Sequence, residues 1–200
     1  MSFIFEVKLK LTIENIIENL KATLEEERFE HSIGVMEMAV KLAKLYGADE
    51  KKAELAGLLH DLAKNIPYDD MYKMCEDFGI ELDEIIMKQP GLVHAFLGAY
   101  LAKRDYGIDD EIYDAIYYHT VGKPNMSLLT KIIYISDSIE KNRNYDGVEE
   151  LRNLAFEDLD RALVVQIDNT IRSVLKKRTL LHTNTIDTRN YYLEKTQTEI

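Results

Sequence analysis

The chain has 200 residues, 46% hydrophobic and 30% charged, which suits a soluble domain that buries a core without help from disulfides. One cysteine, Cys75, excludes an intramolecular disulfide framework and a Cys-rich zinc site. The net charge of −11 weighs against a DNA-binding surface or a general affinity for anionic membranes, and no apolar run reaches the ~18 residues of a spanning helix.

The first ten residues, MSFIFEVKLK, lack both a sustained apolar stretch and a small-residue cleavage site, so a cytoplasmic location is expected. From there the apolar spacing is helical almost throughout, and three prolines in the whole chain leave long stretches uninterrupted. A first helix is predicted from about Ile13 to Leu24. A second runs from Arg28 to Tyr46 with Gly47 as its stop, and its stripe Val35, Met38, Leu42, Leu45 extends one turn back to His31. Asp49 caps a third helix, which carries AELAGLLHDLAK and ends before Pro67. His60 lies on its stripe of Ala53, Ala56 and Ala63, and Asp61 follows about 100° round the helix.

Asp69 to Phe78 reads as a shorter helix stopped by Gly79. Leu92 to Tyr106 follows, with His94 on the face of Leu97 and Leu101. Asp109 starts a helix reaching Tyr118 or His119, and His119 lies on the stripe of Ile112, Ala115 and Ile116. Beyond the loop TVGKPNM, Ser127 caps Leu128 to Ile139, which carries Asp137 one turn after Ile133. Two more helices, near Val148–Phe156 and Asp158–Lys177, precede a polar tail. With no internal repeat and no dividing linker, one all-α domain is the expectation.

Six polar residues therefore fall on inward faces: His31, His60, Asp61, His94, His119 and Asp137. One such histidine is ordinarily a hydrogen-bonded core residue, and one such aspartate caps a loop or pairs with a buried Arg. Six together point to a metal. Buried ionised carboxylates need cations beside them, and imidazoles with carboxylates are the ligands of borderline divalent ions. Ala53, Ala56 and Gly57 offer a small lining for close approach, and Lys64 returns to the side of Asp61 as a cation. Tyr117–Tyr118 reads as helix packing rather than a base-stacking pair, and Cys75 as a small core hydrophobe.

The order His31 … His60–Asp61 … His94 … His119 … Asp137 resembles the HD-domain superfamily of metal-dependent phosphohydrolases. The closer resemblance is to the bacterial YqeK-type family of symmetrical diadenosine tetraphosphate hydrolases. It is carried by RFEHSIGVMEMAVKLAKLYGAD, KAELAGLLHDLAK, YHTVGKPNMSLLTKIIYISDSIE and LHTNTIDTRN, which span roughly residues 28–190. The chain departs from the family at Glu140, followed by Lys141 where a proline is common. It departs again in the tail, which reads His182-Thr183-Asn184-Thr185 and Thr188-Arg189-Asn190 in place of His-Pro-Asn-Thr and Ala-Arg-Asn. Neither departure touches a proposed ligand.

What the resemblance implies is specific. The fold would be one HD-type helical bundle over residues 1–200, with a di-metal centre between its helices. Its catalytic core would lie at about 28–145, with a helical C-terminal segment and basic tail at about 146–200. His31, His60, Asp61 and Asp137 would hold one metal ion; His94 and His119, with Asp61 bridging, would hold a second. Iron is the implied metal, with manganese, cobalt or magnesium as substitutes. The implied reaction splits diadenosine tetraphosphate into two ADP, by attack on a β-phosphorus of water activated between the metals. Asp61 and Lys64 would carry the catalysis, Lys64 by neutralising charge on phosphate oxygens.

Thr120, Gly122, Lys123 and Arg143 would contact phosphate or ribose under the same resemblance. His182 and Arg189 would approach the polyphosphate from a segment, 171–200, with six Lys or Arg against three Asp or Glu. The expected partner is a dinucleoside polyphosphate or nucleotide, with no nucleic acid and no membrane, and a homodimer left open. The rivals are an HD-type mixed-valent di-iron oxygenase, another HD nucleotidase or phosphodiesterase, and a metal-stabilised protein without catalysis. Lys64 and the basic segment favour a polyphosphate; the Gly-Tyr-Pro motif of cyclic-dinucleotide enzymes is absent.

Overall fold

The computed structural model describes residues 12–198, so the ten-residue amino-terminal segment lies outside the described residues. These form helices and no strand: α1 (Ile13–Thr23), α2 (Glu26–Tyr46), α3 (Glu50–Leu59), α4 (Tyr68–Asp77), α5 (Glu84–Met87), α6 (Pro90–Tyr106), α7 (Asp110–Tyr117), α8 (Leu128–Ile139), α9 (Val148–Glu157), α10 (Leu159–Lys177) and α11 (Thr183–Thr198). None is long and apolar enough to cross a membrane. The fold is all-helical, and side chains set several boundaries. Asp49 accepts from the amides of Lys51 and Lys52, and Ser127 from that of Thr130, while Gly47 and Gly107 end α2 and α6 in left-handed conformation.

The main core gathers α2, α3, α8 and α10 around Leu42, Leu59, Ile132, Ile135 and Ile167, all fully buried. A smaller one joins α4 and α6 through Met71, Cys75, Phe96 and Leu97. Cys75 belongs to it, and burial pushes its thiol up to about 11, leaving it inert at neutral pH.

Four expectations need correction. α3 stops at Leu59, so His60 to Lys64 do not continue one rigid helix. They sit in successive turns whose amides bond three residues back, Leu62 to Leu59 and Lys64 to Asp61. The Gly57 carbonyl, which an α-helix would give to an amide, takes the His60 ring instead. The polar tail expected after Lys177 carries a further helix, α11, tied down by buried Tyr192, Thr185 and Thr188. Leu45 does not join the buried stripe of α2; it is 51% exposed.

Gly57 does not line a metal cavity either. A Cβ there would lie 2.8 Å from the Met36 Cα, so the missing side chain is what lets α2 and α3 approach. Because the blocking atoms are backbone, Gly57→Ala is expected to cost about 1–3 kcal/mol. A lower urea midpoint with an unchanged slope would register that loss, and an unshifted midpoint would refute it.

Candidate metal centre

Five elements bring the six polar residues together. His31 comes from α2, His60 and Asp61 from the turn after α3, His94 from the start of α6, His119 from the turn after α7, and Asp137 from α8. The four histidines and Asp61 are nearly sealed, between 0% and 6% exposed. Their donor atoms form three overlapping groups within 4.8 Å: His31–His60–Asp61, His60–His119–Asp137 and Asp61–His94–His119.

Three of the imidazoles are oriented by one local device. His60 Nδ1 lies 2.8 Å from the Gly57 carbonyl, His94 Nδ1 2.8 Å from that of Gly91, and His119 Nδ1 2.6 Å from that of Ile116. A carbonyl only accepts, so each Nδ1 carries the proton and each Nε2 presents a lone pair. His31 is fixed differently, its Nδ1 donating to Glu140 Oε1 at 3.2 Å. All four Nε2 atoms converge. His31 and His60 meet at 3.3 Å, His94 and His119 at 3.2 Å.

The Nε2 atoms of His94 and His119 face each other as acceptors with no proton between them and repel, and a cation between them removes the conflict. The carboxylates add to that demand. Asp61 Oδ1 lies 3.1 Å from His94 Nε2 and 3.8 Å from His119 Nε2; its Oδ2 lies 3.7 Å from His60 Nε2 and 4.0 Å from His31 Nε2. Each oxygen thus serves one histidine pair. Asp137 Oδ1 is 3.0 Å from His31 Nε2 and 4.0 Å from His60 Nε2. The donor set fits divalent metal ions.

Protonation follows from burial and charge. Burial lowers His60 and His94 and pushes His119 down to about 4, so all three are neutral at pH 7, as ligation requires. Burial also tends to lower His31, but its contacts with Asp137 raise it overall. Burial would raise Asp61 and Asp137; neighbouring imidazoles and cations hold both well below the usual carboxylate range.

Three cations ring the cluster. Arg28 Nη1 is 3.1 Å from Asp61 Oδ2, and Arg143 Nη2 is 2.6 Å from Asp137 Oδ1. Lys64 Nζ sits 3.2 Å from both ring nitrogens of His94 and 4.0 Å from Asp61 Oδ1, and burial lowers its pKa. Lys64 and Arg143 were expected here from sequence; Arg28 and Glu140 were overlooked. The signal for Arg28 was its position one turn before His31. Glu140, three residues past Asp137, carries no such signal in the sequence, yet it is 1% exposed.

The remaining expected residues find other partners. Lys123 pairs with Asp114 and covers the Tyr118 ring at 4.4 Å. Gly122, at φ +70°, would put a Cβ 2.8 Å from Thr188 Oγ1, so it serves the close approach of α11. The Thr120 hydroxyl is buried without a partner among the described residues. His182 Nε2 lies 2.6 Å from Asp83 Oδ2 and its Nδ1 accepts from the Asn184 amide, while Arg189 is held by Asp168 at 2.8 Å. The contacts of His182 and Arg189 tie α11 and the turn before it to the body.

Comparison with known proteins bears on this arrangement. The family model described as HD domain matches residues 28–142. A symmetrical bis(5'-nucleosyl)-tetraphosphatase of Halalkalibacterium halodurans is 43% identical over 178 residues, 88% of this chain and 95% of that protein. The protein of the same description from Bacillus subtilis is 42% identical over 89% of this chain and 96% of its own. A crystal structure from Clostridium acetobutylicum, described as a predicted HD superfamily hydrolase involved in NAD metabolism, superposes with a TM-score of 0.89. It is 45% identical and is matched over 92% of this chain and 98% of its own.

Proposed function

The chain belongs to the HD domain family, and on that premise we propose that it hydrolyses diadenosine tetraphosphate symmetrically to two ADP. Water adds to one β-phosphorus, the bond from that phosphorus to the central bridging oxygen breaks, and the released proton leaves at neutral pH. The observation that carries the reading is the pairing of a sealed imidazole–carboxylate cluster with three cations, Arg28, Lys64 and Arg143, at its edge. Neutral imidazoles and two ionised carboxylates suit a divalent metal; the cations suit the oxygens of a polyphosphate.

His31, His60, Asp61 and Asp137 would hold one ion, and His94, His119 and Asp61 a second, with iron as the proposed native metal. Bound there, the ions would supply Lewis acidity toward phosphate and acidify water. The chain's own residues do the rest. Arg143 is anchored to the Asp137 carbonyl through Nε at 2.8 Å, so its Nη groups are held in place for phosphate oxygens. Lys64 stands against the His94 ring and answers charge that develops on the phosphate. The Nδ1–carbonyl bonds of His60, His94 and His119 keep those rings from turning during turnover.

Purified protein stripped with a chelator is expected to be inactive and to regain turnover on addition of Fe(II), Mn(II), Co(II) or Mg(II). Under anaerobic conditions, diadenosine tetraphosphate should yield ADP as the single nucleotide product. Release of AMP with ATP, or a requirement for oxygen, would overturn the proposal.

A further inference from the structure

A cleft of about 410 Å³ opens beside the cluster, between the end of α8 with its following loop and one face of α10. Asp137 and Arg143 belong both to the cluster and to this cleft. The cavity at Asp83 and His182 is instead lined by none of the six clustered residues. The α10 wall presents Gln166, Thr170, Ser173 and Lys177, spaced four, three and four residues apart on one helix face. That stripe extends about 16 Å along the helix axis.

Its chemistry is unusual for an outer helix face in a chain of net charge −11. Amides and hydroxyls line the middle, Lys177 closes one end of the stripe, and Asp137 is the one acidic lining residue. The Gln166 side-chain oxygen is buried with no donor among the described residues. Tyr145, which lines the same cleft, donates its hydroxyl to the Ser138 carbonyl at 2.9 Å, which fixes the ring while leaving it 37% exposed. Uncharged hydrogen-bonding groups lining one cleft with a fixed aromatic ring, and an arginine at the metal side, match the parts of a nucleotide. The ring offers a stacking face to a base, the hydroxyls and amides meet ribose or base edges, and Arg143 meets phosphate.

We propose that this cleft seats one nucleoside half of the substrate, with Tyr145 stacking on the base and Ser173 and the Gln166–Thr170 face meeting its polar edges. The assignment rests on the proposed hydrolase reading and adds the place where one half of the dinucleotide is recognised. It makes Tyr145 a binding residue and α10 a determinant of nucleoside preference.

Calorimetric titration of the metal-loaded protein with ADP and, separately, with inorganic tripolyphosphate tests the cleft. Tyr145→Ala is expected to weaken ADP binding about ten- to a hundredfold, and Ser173→Ala about threefold. Tyr145→Phe, which keeps the ring, should restore most of the affinity lost in Tyr145→Ala. Tripolyphosphate, which has no nucleoside, should bind wild type and all three variants alike. Undiminished ADP binding in Tyr145→Ala, or an equal loss for tripolyphosphate, would overturn the assignment. Wild-type protein that binds ADP in this pattern yet releases none from diadenosine tetraphosphate would sink the hydrolase reading and not the nucleoside seat.

Discussion

Asp61→Ala is expected to release the bound metal and lower ADP formation by at least about 10³-fold. Among the described residues, Asp61 is the group whose two oxygens face different histidine pairs, Oδ1 toward His94 and His119 and Oδ2 toward His31 and His60. Removing it leaves two pairs of facing ring nitrogens at 3.2–3.3 Å without the anion beside them, and takes from Arg28 its carboxylate partner at 3.1 Å. Both consequences work against a divalent cation. Asp61→Asn keeps the volume and hydrogen-bonding capacity but removes the charge, so it separates packing from electrostatics and should lose metal nearly as fully. Elemental analysis after desalting, alongside ADP release and a thermal melt, makes the comparison. Full metal occupancy in a folded Asp61→Ala protein would end the bridging assignment.

Those six positions were legible in the sequence because each violates the pattern around it. A histidine or aspartate on or beside an apolar stripe is conspicuous, and helical spacing points it inward even where, as at His60, Asp61 and His119, the helix has already given way to a turn. What supports the six was far less visible. Arg28 and Glu140 are ordinary charged residues at helix ends, and only the fold turns Arg28 toward Asp61 and closes Glu140 against His31. The end of α3 was hidden for a related reason. The sequence there is good helix, yet past Leu59 the amides of Leu62 and Lys64 bond three residues back and the Gly57 carbonyl accepts from the His60 ring. α11 was hidden because its apolar anchors are few. Tyr192 is buried in the main core with Leu193 against it, but Thr185 and Thr188 share the buried side and the Tyr192 hydroxyl accepts from the Met126 amide at 2.8 Å, so part of the docking face is made of polar atoms that periodicity counts as solvent-facing. His182 and Arg189 looked like free charges for the same reason, whereas Asp83 and Asp168 engage them.

The overlooked Glu140 supports the second large effect. Glu140→Gln is expected to weaken metal binding at the His31 side about 10–100-fold, which is the usual consequence of losing the carboxylate behind a ligating histidine. Its Oε1 faces His31 Nδ1 at 3.2 Å, and its Oε2 accepts from the Asn142 amide at 2.6 Å. A carboxylate accepts at both positions. A glutamine accepts at one only, so either His31 or the Asn142 amide then meets an NH₂ group and loses its partner. The site has no slack to absorb that change. Glu140 is 1% exposed, and Gly34 lacks a side chain where its Cβ would collide with Glu140 Oε2. Arg152 further clamps the segment, donating to the carbonyls of Glu140 and Arg143 at 2.7 Å each. Loss of orientation at His31 should therefore fall on one ion more than the other, because His94 and His119 take their orientation from Gly91 and Ile116 and not from Glu140. A metal titration that is uniform in wild type should split into a tight and a weakened phase in Glu140→Gln, and Gly34→Ala, which displaces the carboxylate without removing it, should shift the same phase by less. Equal tightening or equal loss at both sites would show that Glu140 supports the fold and not the His31 ligand.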